Sequence, residues 1–156
     1  MDIFAHFLWT YVIFHKTQNP LLAGLFGVLP DLLSFGILFM TNMFSKKKFP
    51  RGPPDPKLVP SYVKQSYNYT HSLIIFLIIS LIIYLITKNI YVFLFGWPLH
   101  ILIDIPTHTS KFFPTPFLFP LSKYRFNGIR WSNKIFMIIN YSSLIIVYIL
   151  MFAKVL

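Results

Sequence analysis

Residues 72–108 read SLIIFLIISLIIYLITKNIYVFLFGWPLHILIDIPTH, two apolar runs joined by the polar pair Lys88–Asn89. Long apolar runs with almost no charge are typical of helices buried in a lipid bilayer. The short polar break between residues 72–87 and 90–105 therefore predicts a helical hairpin. Both runs fall short of the about 20 residues that a span needs, so we expect flanking residues or a locally thinned bilayer to complete them.

Three further apolar runs flank the hairpin, at residues 3–14, 21–44 and 135–153. The first is too short to span a bilayer alone, so we expect an interfacial or partly inserted helix. It has no basic leader and no small-residue cleavage pattern after it, so we expect it to stay in the mature protein. The second run contains Pro30, and because proline removes a backbone hydrogen bond we expect a broken helix there.

The composition of the whole chain also indicates a membrane protein. Of its 156 residues, 56% are hydrophobic and 12% are charged, and the mean hydropathy is +0.65. So few polar residues cannot cover the surface of a water-soluble protein of this length. We therefore predict an all-α integral membrane protein with a single domain, residues 1–156, built from four to five short transmembrane or re-entrant helices.

Positive charge is concentrated in two proline-rich loops, at residues 45–70 and 109–134. The first holds six and the second five of the fourteen lysines and arginines, in a chain of net charge +10. We expect the first loop to be irregular, and both loops to lie on the cytoplasmic side of the plasma membrane by the positive-inside rule. The charge favours contacts with anionic lipid headgroups. Nucleic acid is the alternative partner, but the loops contain no recognisable reading module and we expect none to bind.

Two of the four acidic residues, Asp31 and Asp104, lie inside apolar runs. A lone carboxylate at mid-membrane costs about 2.5–3.5 kcal/mol on insertion scales, so we expect both to be paired or protonated. Asp104 follows His100 by four residues, which puts an imidazole and a carboxylate on one helix face. Such side chains bind divalent metals, and because the chain has no cysteine any metal must be held by nitrogen and oxygen.

Other polar side chains in or beside the apolar runs can join this pair. With both loops on one side, His6 and His71 start their helices at a depth similar to that of Asp104, and a bend at Pro30 would bring Asp31 nearby. The predicted metal ligands are His6, Asp31, His71, His100 and Asp104, with Asp31 and Asp104 also predicted to be catalytic. We interpret them as ligands of one or two divalent ions, with zinc preferred and manganese as the alternative.

Each of these residues also has a simpler interpretation. His100 and Asp104 can form a hydrogen-bonded or ionic pair that joins two helices. Asp31 can cap a helix N-terminus after the proline break. His6 and His71 can lie at the membrane interface, where polar residues at helix starts are common.

Two further histidines are less informative. Pro106 disrupts the helix that would align His108 with Asp104, so an exposed loop position and a ligand are equally consistent interpretations of His108. His15 lies beside Lys16, and we expect it in the headgroup region.

Several short segments together resemble a known family. They are His6 in an N-terminal apolar helix, Gly24 through Pro30–Asp31, Thr70–His71–Ser72, His100-x-x-x-Asp104, and residues 116–122, PFLFPLS. In order and spacing they resemble the YdjM-like family of membrane-bound, metal-dependent hydrolases, which is described as distantly similar to zinc-dependent phospholipase C. The resemblance covers most of the chain. It implies a hydrolase directed at a phosphoester or a lipid, with the five predicted ligands as its metal site.

The chain departs from this family at one place. Family members often carry a His-Arg-Gly segment just before the Thr-His-Ser element, whereas this chain has Ser66–Tyr67–Asn68. A ligand or a phosphate-contacting arginine of the family is therefore replaced. Arg125 and Arg130 are the candidates to take its place in space.

These observations favour a phospholipase-like hydrolase that attacks a lipid phosphoester or ester with a metal-activated water. Asp104 would bridge two ions, with His71 and His100 on one of them. His6 would hold the other, and Asp31 would be a ligand or the general base. A small metal-ion or proton transporter or channel component that uses the same residues is the second interpretation. A non-catalytic membrane scaffold, consistent with the departure just described, is the third.

Overall fold

The computed structural model describes residues 1–44 and 55–155, and over these residues the chain is helical without β-strands. The α-helices are α1 (Ile3–Ile13), α2 (Pro20–Asp31), α3 (Ile37–Phe44), α4 (Ser61–Thr70), α5 (Leu73–Thr87), α6 (Gly96–Thr107) and α7 (Lys134–Phe152). A π-helical turn, Leu32–Gly36, joins α2 to α3, and a 3-10 turn, Val92–Phe95, leads into α6. The predicted all-α class is confirmed for the described residues.

Two helical segments are long and apolar enough to cross a membrane. They are Pro20–Met43, with 24 residues, and α7, with 19 residues. Helices α4 and α5 are bent by 61° and would add a third span if they cross together, whereas α1 and Val92–Thr107 are apolar but shorter. These segments support the prediction of a membrane protein. The four to five spans, the plasma membrane and the cytoplasmic side of the loops stay predictions.

The expected break at Pro30 takes the form of a π-helical turn, and the helical segment continues past it to Met43. Pro30 has no N–H group, so it cannot donate to the preceding turn of the helix. The Ser34 hydroxyl donates to the carbonyl of Pro30 at 2.8 Å, which satisfies a backbone acceptor at this irregular place. Asp31 is the last residue before the π-helical turn. Single π turns within helices are frequent at functional sites.

Helices α1, α2 and α6 pack closely because small residues face their contacts. A Cβ atom at Gly27 on α2 would clash with the hydroxyl of Thr10 on α1, and one at Gly24 would lie 2.8 Å from the Phe7 ring. At the start of α6, a Cβ atom at Gly96 would clash with an α2 carbonyl. These close approaches bring His6 of α1 towards His100 of α6.

The predicted hairpin is present as α5 and α6. The rings of Phe76 and Trp97 meet edge to face across it, with centroids 6.0 Å apart, and Ile101 beside them is fully buried. The Trp97 indole also donates to the carbonyl of Thr70 at 2.7 Å. This bond ties α6 to the corner between α4 and α5.

The prediction that residues 45–70 are irregular is wrong for Ser61–Thr70, which forms α4. This short helix buries Val63, Tyr67 and Thr70. The spacing of these residues is that of one helix face, and the many polar residues between them conceal it in the sequence. Residues 55–60 are not helical, and the part of the prediction that falls on residues 45–54 lies outside the described residues.

The second proline-rich loop folds back over the end of α6. Its N–H groups donate to carbonyls at and just after the end of that helix, in the pairs Gly128 to His108, Ile129 to Pro106 and Trp131 to Thr107. A Cβ atom at Gly128 would clash with the Pro106 carbonyl, so the close approach requires glycine there. The loop thus covers the end of α6 next to Asp104.

Candidate metal centre

The five residues predicted as metal ligands converge in the structure. We call this cluster the metal centre because it could hold a metal ion. His6 comes from α1, Asp31 from the end of α2, His71 from the corner between α4 and α5, and His100 and Asp104 from α6. The three histidines and Asp104 are fully buried. The Asp31 side chain is 17% exposed. Residues that are distant along the sequence therefore meet in the interior of the protein.

Donor atoms of His71 and His100 lie close to one another and to a carboxylate oxygen of Asp104 or of Asp31, so each set of three could share a cation. The Nε2 atom of His71 is 3.1 Å from His100 Nε2 and 3.5 Å from Asp31 Oδ1. The Oδ2 atom of Asp104 is 3.2 Å from His100 Nε2 and 3.7 Å from His71 Nε2. Tetrahedral bonds of about 2.0–2.1 Å to zinc separate neighbouring ligand atoms by roughly 3.3 Å. The separations among His71, His100 and Asp104 are near this value, whereas Asp31 Oδ1 lies farther from His100 Nε2, at 4.0 Å.

The other oxygen of Asp104 faces a different set of groups. Its Oδ1 atom is 2.9 Å from His6 Nε2 and 3.6 Å from His108 Nδ1, and it also contacts the α-amino group of Met1. Donor atoms of His6, His100 and Asp104 lie within 4.8 Å of one another and form a second possible ligand group. The two Asp104 oxygens thus contact different histidines, as a carboxylate that bridges two ions requires.

Hydrogen bonds orient the rings of His100 and His71. A backbone carbonyl can only accept, so the 2.7 Å contact with the Gly27 carbonyl makes His100 Nδ1 a donor. A neutral His100 then directs the Nε2 lone pair at His71 and Asp104. The Thr70 hydroxyl lies 3.0 Å from His71 Nδ1 and orients that ring. Groups that hold a histidine in this way are usual around metal ligands.

Aromatic contacts enclose the metal centre on two sides. The His6 and His100 rings stack with centroids 3.7 Å apart, and the Tyr67 ring stacks on His71 at 3.8 Å. The Tyr67 hydroxyl donates to the carbonyl of Phe113 at 2.9 Å, which fixes the tyrosine against the second loop. Neighbouring rings therefore limit the movement of the ligand side chains.

The structure also bears on the simpler interpretations of the individual residues. His6 and His71 are fully buried, so their side chains contact protein and not lipid headgroups. The Asp31 side chain makes no capping hydrogen bond. His108 is buried as well, so the exposed loop position is wrong, and burial lowers its pKa to about 4. His15 is half-buried and bonds the Val12 carbonyl, outside the metal centre.

An apolar cavity of about 570 Å³ lies beside the metal centre. Asp31, Tyr67 and His108 line it on the side of the metal centre. Its apolar walls include Leu32, Phe35, Phe39, Phe112 and Trp131. Cavities of this size and composition are typical of sites for small ligands. A molecule that reaches Asp31 through this cavity would have an apolar part.

Sequence reasoning missed the groups that support the ligands. The Gly27 carbonyl, the Thr70 hydroxyl and the Tyr67 ring all contact histidines of the metal centre. Thr70 offered a weak signal, since it precedes His71 directly. The other two offered none, because a backbone carbonyl and a tyrosine in a polar segment acquire this role only through the packing of the helices.

Comparison with known proteins adds no family to this geometry, since no family model, no curated protein and no solved structure matches the chain. The resemblance to the YdjM-like family therefore rests on the motifs quoted above and stays a prediction. The buried histidines and aspartates form groups that could hold a metal ion. That statement follows from the geometry alone.

Proposed function

We propose that this chain is a membrane-bound, metal-dependent hydrolase that cleaves a phosphoester or an ester of a lipid. The observation that carries the proposal is the convergence of His71, His100 and Asp104 donor atoms, at 3.1–3.7 Å, next to an apolar cavity. The resemblance to phospholipase-like membrane hydrolases agrees with this assignment and is part of the same proposal.

The charges of the metal centre favour a cation over a simple hydrogen-bonded pair. Within the described residues, the ion-pair partners of Asp31 are histidines, and those of Asp104 are histidines and the Met1 amino group. The Met1 amino group can offset the charge of Asp104, but the partners of Asp31 are histidines, and a neutral imidazole does not neutralise a carboxylate. A carboxylate in an apolar interior is costly without compensation, and a divalent cation would supply it.

The residues have separate roles in this proposal. His71, His100 and Asp104 would hold one ion. His6 and Asp104 would hold the other. Asp31, the most exposed member of the metal centre and part of the cavity wall, is a further ligand or the general base. Imidazole and carboxylate ligands suit zinc, with manganese as the alternative. When bound, such an ion supplies a Lewis acid and a water that is acidic near neutral pH.

The cavity supports the choice of substrate class. Its apolar side chains would accommodate a hydrocarbon chain, while Asp31 and His108 would face the polar bond to be cleaved. A lipid ester or phosphoester combines these two properties. Since the chain has segments that are long and apolar enough to span a bilayer, such a lipid is available to it directly.

The test combines metal analysis with hydrolysis assays on detergent-purified protein. We expect one or two divalent ions per wild-type chain and metal-dependent cleavage of a phospholipid. His100→Ala should lose both properties, whereas His15→Ala, which changes a histidine outside the metal centre, should keep them. Wild-type protein that binds no metal would contradict the proposal. So would an Asp104→Ala variant with unchanged hydrolysis. Metal flux into proteoliposomes without hydrolysis would favour the transporter instead.

A further inference from the structure

A second cavity, of about 360 Å³, adjoins the apolar cavity. Both are lined by Tyr67 and Phe113, so these two residues form a wall between them. The second cavity differs in its chemistry, because its lining includes three cationic side chains, Lys64, Lys111 and Arg125. We call it the basic cavity. Its position next to the apolar cavity makes it accessible to a polar group of the same ligand.

The cations of the basic cavity come from separate parts of the chain. Lys64 lies on α4, Lys111 follows the end of α6, and Arg125 lies later in the second loop. Asn68 and Ser110 add polar groups to the same lining. The positive-inside rule accounts for lysines and arginines in these loops, but not for the convergence of three of them on one concave site.

The charge of these side chains is not compensated by carboxylates. In residues 1–44 and 55–155, the carboxylates that form ion pairs are Asp31 and Asp104, and neither pairs with a cation of the basic cavity. Like charges that are held together repel one another and attract an anion. The basic cavity therefore has the electrostatic character of an anion site.

Hydrogen bonds to the backbone hold the Arg125 side chain in a position from which it could bind an anion. Its Nη1 atom donates to the carbonyls of Tyr124 at 2.9 Å and Ser122 at 3.3 Å. Within the described residues these bonds use Nη1 alone, so the N–H groups on Nε and Nη2 are left for another acceptor. A guanidinium with two free donors on one edge matches the oxygens of a phosphate group.

We propose that the basic cavity is a subsite that binds a phosphate group of the ligand whose apolar part occupies the neighbouring cavity. This inference rests on the proposed function and narrows its substrate class. Because the Tyr67 ring lies between His71 and the basic cavity, the phosphate bound there is not the group at the metal centre. The substrate is then a lipid that carries a phosphate in addition to the ester or phosphoester that is cleaved.

The experiment measures lipid binding to the full chain in detergent by native mass spectrometry. The probes are dihexanoyl phosphatidate, dihexanoylglycerol, which has the same chains without phosphate, and inorganic phosphate. We expect the wild-type protein to prefer phosphatidate over dihexanoylglycerol by about tenfold or more, the value of one charge-assisted hydrogen bond. The combined variant Lys64→Ala, Lys111→Ala and Arg125→Ala should lose this preference.

A matched control removes the same charge elsewhere. The combined variant Lys16→Ala, Lys88→Ala and Lys134→Ala changes three exposed lysines outside the basic cavity and should keep the preference. Equal binding of the two lipids by wild-type protein, or equal loss in both combined variants, would overturn the proposal. Tighter binding of phosphatidate than of inorganic phosphate assigns the phosphate to a lipid. Equal binding of these two probes would overturn the assignment to a lipid, since the apolar chains would then add nothing to binding.

Metal content is measured on the same samples to separate this proposal from the proposed function. The basic-cavity variant should keep its metal, because none of its three residues belongs to the metal centre. His100→Ala should lose metal but keep the preference for phosphatidate. If the wild-type protein binds no metal yet prefers phosphatidate, the proposed function fails and the subsite stands.

Discussion

The metal centre and the basic cavity are both polar, yet they relate to the sequence in opposite ways. Every residue of the metal centre lies in or directly beside an apolar run, where a histidine or an aspartate is an exception. The residues of the basic cavity come from segments in which lysine, arginine and serine are common. A polar residue is thus informative where its surroundings make it costly. In a polar loop, only the fold distinguishes a site from a solvated surface.

The largest effect is expected from Asp104→Ala in the metal centre. This change removes both carboxylate oxygens, which lie near three histidines of the metal centre. Metal affinity should fall by more than the roughly 10- to 100-fold that follows loss of a residue that only orients a ligand. Metal titration of the purified protein measures this. Asp55→Ala, which changes an exposed aspartate outside the metal centre, is the control. Equal metal affinity in the two variants would contradict the proposal that Asp104 is a metal ligand.

The next effect tests whether close helix packing holds the metal centre together. Gly27→Ala introduces a methyl group against the Thr10 hydroxyl, on the helix that carries His6. Overpacking of this kind should lower the free energy of unfolding by about 1–3 kcal/mol. Gly36→Ala is the control, because a Cβ atom there has its nearest neighbour at 3.7 Å. Thermal unfolding in detergent compares the two. Equal stability would mean that α1 has room to move away from α2.

Thr70→Val tests a smaller contribution, the orientation of a ligand. The variant keeps the shape of the side chain but removes the hydroxyl that lies 3.0 Å from His71 Nδ1. Metal affinity should fall, and the loss should stay within about 10- to 100-fold. Thr87→Val is the control, since its hydroxyl bonds the Ile83 carbonyl at the far end of α5. If both variants bind metal as the wild type does, Thr70 does not orient His71.

The smallest effect belongs to the basic cavity. Lys64 is exposed and two other cations remain. Lys64→Ala alone should therefore weaken the preference for phosphatidate by only about two- to fivefold. Raising the salt concentration should reduce the preference further, because exposed charges are screened. The same native mass spectrometry measures both changes. A complete loss of preference in this single variant would mean that one lysine, and not the cluster, binds the phosphate.

Much of the fold could be predicted because apolar runs determine helices in a lipid environment. The runs at residues 72–87 and 135–153 match α5 and α7 to within one residue at each end. Helix α4 was not predicted because polar side chains lie between the residues of its buried face. The π-helical turn was not predicted either. Pro30 predicts a missing hydrogen bond, but it does not determine how Ser34 and the backbone compensate for it.

The five residues of the metal centre could be predicted for a related reason, namely the high cost of polar groups in apolar runs. Their supporting groups could not. The position of the Gly27 carbonyl near His100 depends on how α2 and α6 pack, and this is not encoded in a local pattern. The convergence of Lys64 with Arg125 likewise depends on how the second loop folds back, so the sequence predicted charge without a site.

The most direct test of the central claim is X-ray absorption spectroscopy at the metal edge of the purified, zinc-loaded protein. The account predicts nitrogen and oxygen ligands at about 2.0–2.2 Å, with the outer-shell scattering of imidazole rings. That imidazole signal should weaken in His100→Ala and persist unchanged in His15→Ala. A spectrum of zinc bound by water alone, without imidazole scattering, would contradict the account.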